Sequence, residues 1–332
     1  MNIKTKALFF FLTVLFFISC KEKTENNNSQ TALENTIVLD DSSTVKINTS
    51  SSLANDVLLL QFKPVNGTKY NMTMDMQYDM ITNAMGQEMK QKMSMSMGSE
   101  MEVKGVDADG NTTLASQYKK MKMDMDMGVM KMQYESGKLP EDEMGLMMSK
   151  VFEPFINAPL TITLDKSAKV KSVTGFDEIK KKIEAQVGEG AAGSFDQMNN
   201  MEENIQGSFA YLPNKEVKIG DTWQQELQID IQQYPMNMKS IFTLIDRKDG
   251  IAVIAMQSTM AMNNAKLNKD EMQQMGIEDM SVSGTSSGTL QVDESTGWTK
   301  SANITQNIKM DITAQGQKMP MTMKGTLKMK SE

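Results

Sequence analysis

The 332-residue chain carries 35 basic and 42 acidic side chains, no histidine and a single cysteine, for a formal net charge of −7. That balance disfavours nucleic acid and anionic lipid surfaces as partners; the missing histidines and spare thiols remove the usual general bases, nucleophiles and zinc ligands, and internal disulfides are ruled out. No nucleophile elbow, phosphate-binding loop or dinucleotide fingerprint is present, so the expectation is a protein that is not an enzyme and uses no cofactor, and the compositional anomaly is its 35 methionines.

The chain begins with Met1–Lys6, which holds two lysines and no acid, followed by ALFFFLTVLFFI (7–18). This apolar run is short for a bilayer span and matches the core of a signal peptide. It ends in FISC, where Ser19 and Cys20 resemble the lipobox of bacterial lipoproteins, with Phe17 at the place of the usual leucine. The resemblance implies that residues 1–19 are removed and that Cys20 is lipidated with diacylglycerol and palmitate. Several acyl chains hold a protein at a membrane far better than one. Residues 20–55, the lipidated Cys20 followed by KEKTENNNSQTALENT (21–36), are polar and poor in apolar residues, and read as a disordered tether. Lys21 stands where some bacteria place an inner-membrane retention aspartate, so the expected address is the outer membrane, on either its periplasmic or its surface face.

From residue 56 onward the period is that of strands. Met72, Met74, Met76, Tyr78 and Met80 alternate with Thr73, Asp75, Gln77 and Asp79; Met93, Met95 and Met97 share one parity, as do Met121, Met123, Met125 and Met127. Side chains two apart lie on one face of a strand, so these read as antiparallel strands with methionine inward and charge outward. After Gly128 the parity passes to Met130, Met132 and Tyr134, read as a kink within one strand. The alternation returns at Leu227–Ile231, Ile308–Ile312 and Met319–Met329, where Pro320 suggests an edge strand. Helical stripes are fewer. One follows Pro140 through Met144, Met147, Met148, Val151 and Phe152; a second joins Phe176, Ile179, Ile183 and Val187; a third, over about 194–205, would bury Phe195, Met198 and Ile205.

Several segments recur in order. GTKY (67–70) is answered by GDTW (220–223), DADGN (107–111) by DRKDG (246–250), and LDKSAKVKSVTG (164–175) by VDESTGWTKSAN (292–303). The expected organisation is therefore two β-rich halves, 56–175 and 208–332, joined by a helical connector at 176–207. DADGN is read as a turn rather than a calcium loop, because its glycine falls too early.

With the lipobox, the polar tether, the GTKY and GDTW strand starts and the DG hairpins together, the chain resembles an uncharacterised family of bacterial lipoproteins carrying a domain of unknown function. Its expected fold is α+β: a mostly antiparallel, curved sheet or half-barrel of about eleven strands in two pseudo-repeats, with a few amphipathic helices. That architecture is similar to the LolA and LprG lipoprotein carriers. Fold alone does not fix function, and the methionines admit three readings. They can be plain core of a structural or interaction lipoprotein; they can line a site for a hydrophobic, lipid-like ligand, since flexible thioethers adapt to varied apolar surfaces; or they can hold Cu(I) in the periplasm through thioether pairs. The ligand-binding reading is preferred, with Met72, Met74, Met76, Met93, Met95, Met97, Met121, Met123, Met125, Met127, Met321 and Met323 as its lining. Expected partners are the membrane, through the anchor, and a hydrophobic small molecule or lipid.

Overall fold

The computed structural model describes residues 21–22, 36–39, 43–48, 52–53, 55–84, 87–128, 130–188, 209, 211–231, 234–263, 272 and 276–332. Cys20, the leader before it and the third helical stripe lie outside the described residues. In chain order the strands are β1 (Lys21–Glu22), β2 (Thr36–Leu39), β3 (Ser43–Lys46), β4 (Leu58–Leu59), β5 (Lys69–Ala84), β6 (Gln87–Val106), β7 (Thr112–Asp126), β8 (Lys131–Glu135), β9 (Leu160–Leu164), β10 (Val170–Thr174), β11 (Glu216–Val217), β12 (Thr222–Ile231), β13 (Tyr234–Lys248), β14 (Ile251–Met262), β15 (Ile277–Asp293), β16 (Thr299–Ala314) and β17 (Gln317–Ser331). Helix α1 (Glu143–Phe152) follows β8, and α2 (Phe176–Val187) follows β10.

Among the described residues thirteen strands form one sheet, of the mostly antiparallel architecture expected. Its order is β1-β12-β13-β14-β15-β16-β17-β5-β6-β7-β9-β10, with β8 also on β7. The second half is thus a meander from β12 to β17, and β17 then pairs with β5 to join the first half to it. Within the stretch expected as tether, β1 lies against β12 and β2 pairs with β3. The strands at the two ends of the order do not pair with each other, so the sheet is open. It is nevertheless curved: Ile162 and Leu164 of β9 share one buried cluster with Trp223, Phe242 and Leu244 from the opposite side of the sheet.

Alternation carries most of this architecture. On β5 the even residues from Tyr70 to Thr82 turn inward, while Asp75 and Asp79 stay exposed. Strand β7 keeps both of its ends inward by a bulge. Gly98 pairs with Lys120 and Ser99 with Tyr118, so Lys119 is the extra residue and the inward parity passes from even (Leu114, Ser116) to odd (Met121, Met123).

Three local expectations change. MKMDMDMGVMKM is not one kinked strand: Met127 N–H bonds to the Met130 carbonyl, Gly128 takes φ 80°, and β8 returns along β7 with Met132 opposite Met125. The parity change after Gly128 is therefore a chain reversal. Strand β17 is central, not an edge; Pro320 falls just beyond the ladder with β5, which begins at Met321, so its missing N–H costs no bond to that strand. Helix α1 is capped by Asp142, whose Oδ1 accepts from Gly145 N–H at 2.6 Å, rather than starting at Pro140.

The base of the sheet is aromatic and aliphatic. Tyr70 stacks on Trp298 with ring centroids 3.8 Å apart, and Phe62 and Phe209 close around the same indole. Trp298 Nε1 donates to Ser331, Trp223 Nε1 to the Tyr211 carbonyl, and the Tyr211 hydroxyl to the Gly297 carbonyl. No cysteine bridges this region, so a packed core in which both indoles and the Tyr211 phenol find acceptors holds the two halves together.

Candidate functional site

Register places the inward residues of the sheet in transverse rows. One runs Trp223, Phe242, Met256, Gly288, Ile304, Leu327, Met76, Met95, Met123 and Tyr134. Four residues further from the base another runs Leu227, Met238, Met260, Gly284, Ile308, Met323, Met80 and Gln91. No residue in either row carries a formal charge. The ionic groups of the same strands are outward, as in the pairs Lys239–Glu226, Lys92–Asp79 and Lys122–Asp124.

Between these two apolar rows lies a polar one. Gln225, Ser240, Ser258, Ser286, Gln306, Gly325 and Tyr78 follow one another across β12 to β5 before the row returns to Met93, Met125 and Met132. Its members bond laterally. The Ser240 and Ser258 hydroxyls are 2.7 Å apart, and the Tyr78 hydroxyl donates to Gln306 Oε1 at 2.6 Å. A Cβ on Gly325 would fall 2.1 Å from Tyr78 Cδ1, so only glycine there lets the phenol ring lie over β17 to reach β16. Burial raises the Tyr78 pKa to about 12, and the row is uncharged at neutral pH.

The expected lining divides in two. Met76, Met93, Met95, Met121, Met123, Met125 and Met323 are buried together beneath Met148, Val151 and Phe152 of α1. That part of the face is filled: Met123 is 0% exposed. Met72, Met74, Met97, Met127 and Met321 are half-buried. Met74 and Met97 sit opposite each other in a further row, Met329, Met74, Met97 and Met121, between the methionine cluster and the aromatic base. Such a row offers thioethers to a soft ion; among the described residues no group of three His, Cys, Asp or Glu offers a harder site. Cys20 lies outside the described residues.

The half-buried part of the concave face continues over the second half, from which the expected lining took only Met321 and Met323. Met256, Met260, Val282, Ile304, Ile308 and Leu327 are all half-buried there. Three inward positions among them have no side chain at all, Gly284, Gly288 and Gly325. Strand β15 presents Gly284, Ser286 and Gly288 in succession on this face, flanked by Val282 and Leu290. The signal was present in SVSGTSSGTL, whose small residues keep the parity of the surrounding apolar ones. Glycine weakens a strand unless a bend or a close approach requires it. Close approach requires it at Gly288, where a Cβ would meet the Asn303 carbonyl, and at Gly325, whose place the Tyr78 ring takes; at Gly284 the nearest atoms would stand 3.2 Å from a Cβ.

Comparison with known proteins adds little about chemistry. No curated protein matches the chain. A lipovitellin structure concerned with lipid–protein interactions is 11% identical with a TM-score of 0.44, the match covering 81% of this chain and 25% of that one. The present chain thus spans about a quarter of that structure's length. The outer membrane protein OpdK of Pseudomonas aeruginosa is 6% identical with a TM-score of 0.18, over 80% of this chain and 99% of that one. The translocator domain of the autotransporter NalP from Neisseria meningitidis is 6% identical with a TM-score of 0.18, over 80% and 88%. Residues 109–299, more than half of the sequence, match a family of unknown function, DUF6263, and the chain belongs to that family.

Proposed function

We propose that this protein is a lipid-anchored, non-enzymatic lipoprotein of the cell envelope that binds or carries a hydrophobic, lipid-like ligand on the concave face of its sheet. The observation that carries this reading is the uncharged strip formed by Met74, Met97, Met256, Met260, Ile304, Ile308, Leu327 and Met329, half-buried between two regions that are fully packed. A purely structural core would be expected to be tightest at the middle of its sheet; here half-buried apolar residues flank the buried polar row at that middle. Apolar floor, adaptable thioethers and glycines at inward positions suit an elongated apolar molecule lying across the strands. The anchor rests on the lipobox-like sequence at Cys20, and the outer membrane is the proposed address because of Lys21.

Native mass spectrometry of the full-length lipoprotein, released from its own membranes in mild detergent, tests this directly. The expected spectrum shows a population heavier than the acylated chain by the mass of an apolar ligand. Absence of any such adduct, together with no displaceable binding of a fluorescent neutral lipid, fatty acid or alkane, overturns it. The row Met329, Met74, Met97 and Met121 favours Cu(I) as the second reading. Retention of less than one ion per chain after anaerobic Cu(I) loading and desalting ends that alternative.

A further inference from the structure

The polar row is an expensive thing to place inside an apolar trough. Ser240, Ser258 and Gln306 are 2%, 6% and 5% exposed, and a buried polar group costs free energy unless its hydrogen bonds are made. Most of the row makes them within itself, through the Ser240–Ser258 and Tyr78–Gln306 bonds. Three groups on the same face do not: the Tyr70 hydroxyl at the aromatic base and, close to the polar row, one group on β6 and one on β5. Gln91 Oε1 and Thr82 Oγ1 are buried with no hydrogen-bond partner, in residues only 7% and 5% exposed. Gln91 closes the row next to the polar one, opposite Met80, and Thr82 lies two residues beyond Met80 on β5. Successive inward residues of a strand are about 7 Å apart, so Gln91, opposite Met80, lies one diagonal step from Thr82 on one side and from Tyr78 on the other; Gln91 and Thr82 together mark a polar corner within reach of one small head group.

Charge sets the class of that head group. None of the inward residues of the polar row or of its two flanking rows is Lys, Arg, Asp or Glu. An anionic carboxylate or phosphate brought here would find no cation, and burial of an unpaired charge is far costlier than burial of a hydroxyl. Gln91 Oε1 can only accept, so its missing partner is a donor; Thr82 can donate or accept.

We propose, resting on the ligand-binding reading above, that the concave face is selective for an uncharged amphiphile. Its head carries hydroxyl or amide donors that bond to Gln91 and Thr82 beside the Tyr78–Gln306 pair, and its hydrocarbon tail runs over the floor of Gly284, Ser286 and Gly288. Monoacylglycerols represent this class; free fatty acids and plain alkanes do not.

The test uses the full chain with three probes of similar tail length, monoolein, oleate at neutral pH and hexadecane, and two variants, Gln91→Leu and Thr82→Val. Monoolein is expected to bind more tightly than either of the others. Each substitution removes one neutral hydrogen bond to the head group, so monoolein affinity should fall about three- to tenfold while hexadecane affinity holds. Both variants should also unfold at higher urea concentration than the parent without ligand, since each replaces an unpartnered buried polar atom with carbon. That gain separates a ligand-directed polar group from one needed for the fold. Preference for oleate, or equal loss of all three probes in the variants, overturns the proposal and leaves hydrophobic binding standing. Failure of every probe to bind the parent chain rejects the ligand-binding reading itself.

Discussion

Tyr78 of β5 reaches Gln306 of β16 across an intervening strand, its hydroxyl 2.6 Å from Oε1, because residue 325 between them has no side chain. The contact joins positions 228 residues apart at the seam where β17 brings the two halves of the sheet together. It is therefore both a polar element of the concave face and a clamp on the closure of the halves. A backbone ladder alone specifies register weakly where glycine lies on a strand; the ring laid over Gly325 pins it.

Tyr78→Phe is expected to destabilise the protein by about 1–3 kcal/mol, because it leaves the buried Gln306 carboxamide without its donor. Gly325→Ala should cost a similar or larger amount, about 1–3 kcal/mol, by driving a methyl group into the phenol ring. The double variant should be less than additive, since both changes break one contact. Urea denaturation of the parent, the singles and the double measures this; full additivity would show that the ring and the glycine act independently.

The same phenol predicts an alkaline transition. Burial raises Tyr78 from 10.0 to about 12, and also raises Tyr70, Tyr118, Tyr134 and Tyr211. A folded-state pKa above the unfolded value contributes stability that is fully present below about pH 10 and is lost as pH rises through about 12. Ultraviolet titration of the folded chain should therefore show most phenolate appearing late and together with unfolding. In concentrated urea it should appear near 10, the ordinary value. Early ionisation of the folded protein would place these rings in water.

How much of this was legible beforehand follows from period. Met72 to Met80 on β5 and Met93 to Met97 on β6 declared their strands and faces, because one side of the sheet is charged and the other is not. The pairing of DADGN with DRKDG was equally readable, and both form hairpin turns in the structure, at β6–β7 and β13–β14. What alternation does not encode is which inward residues are covered. Met123 is fully buried in the cluster that includes α1 while Met74 is only half-buried at its margin, and nothing in either residue's neighbourhood announces the difference. The hairpin at Gly128 was misread because a bulge, a kink and a reversal all change parity. The polar row was missed because it runs across the strands; its members are separated by tens of residues and align only through register.

Arg247, the sole arginine, pairs with Glu294 through two bonds of 2.8 and 2.9 Å and with the Asp56 carbonyl at 2.9 Å. The pair is 9% and 16% exposed. A lysine cannot reproduce a planar fork with three such contacts, so Arg247→Lys is expected to cost about 1.5–3 kcal/mol. Because salt screens buried pairs poorly, the difference in urea midpoint should survive in concentrated salt. An equivalent change at the exposed Lys92–Asp79 pair should have little effect in any buffer.

Asp293 governs the turn that delivers Trp298 to the base. Partial burial pushes its pKa upward, but hydrogen bonds from Ser295 and Thr296 outweigh this and hold it below 3.8. A depressed carboxylate contributes stability that is present above pH 3.8 and lost as pH falls through its lower folded value. Asp293→Asn should thus be less stable than the parent at neutral pH, with the gap closing in acid. Tryptophan fluorescence across an acid titration reads both curves; a gap that stays constant would remove the carboxylate's charge from the turn's role.

Methionine chemistry can distinguish filled from open directly, residue by residue. Peroxide oxidises thioethers that water can reach and spares those in a packed interior, so the rate at each sulfur reports its cover. Among the described residues Met147 and Met89, 44% and 43% exposed, should convert first. Met74, Met97, Met256, Met260 and Met329 should follow at intermediate rates, and Met95, Met123 and Met125 under α1 should be the last. Saturating the protein with an apolar ligand should then slow the intermediate class and leave Met147 unchanged, because only the former lies on the concave strip. Val151→Ala, which thins the cover of α1, should move Met123 and Met125 toward the intermediate class without a ligand effect. Peptide mass spectrometry over a peroxide time course reads every site at once. Uniform slow oxidation of the intermediate class, insensitive to any ligand, would mean that the whole face is interior and that its methionines serve packing alone.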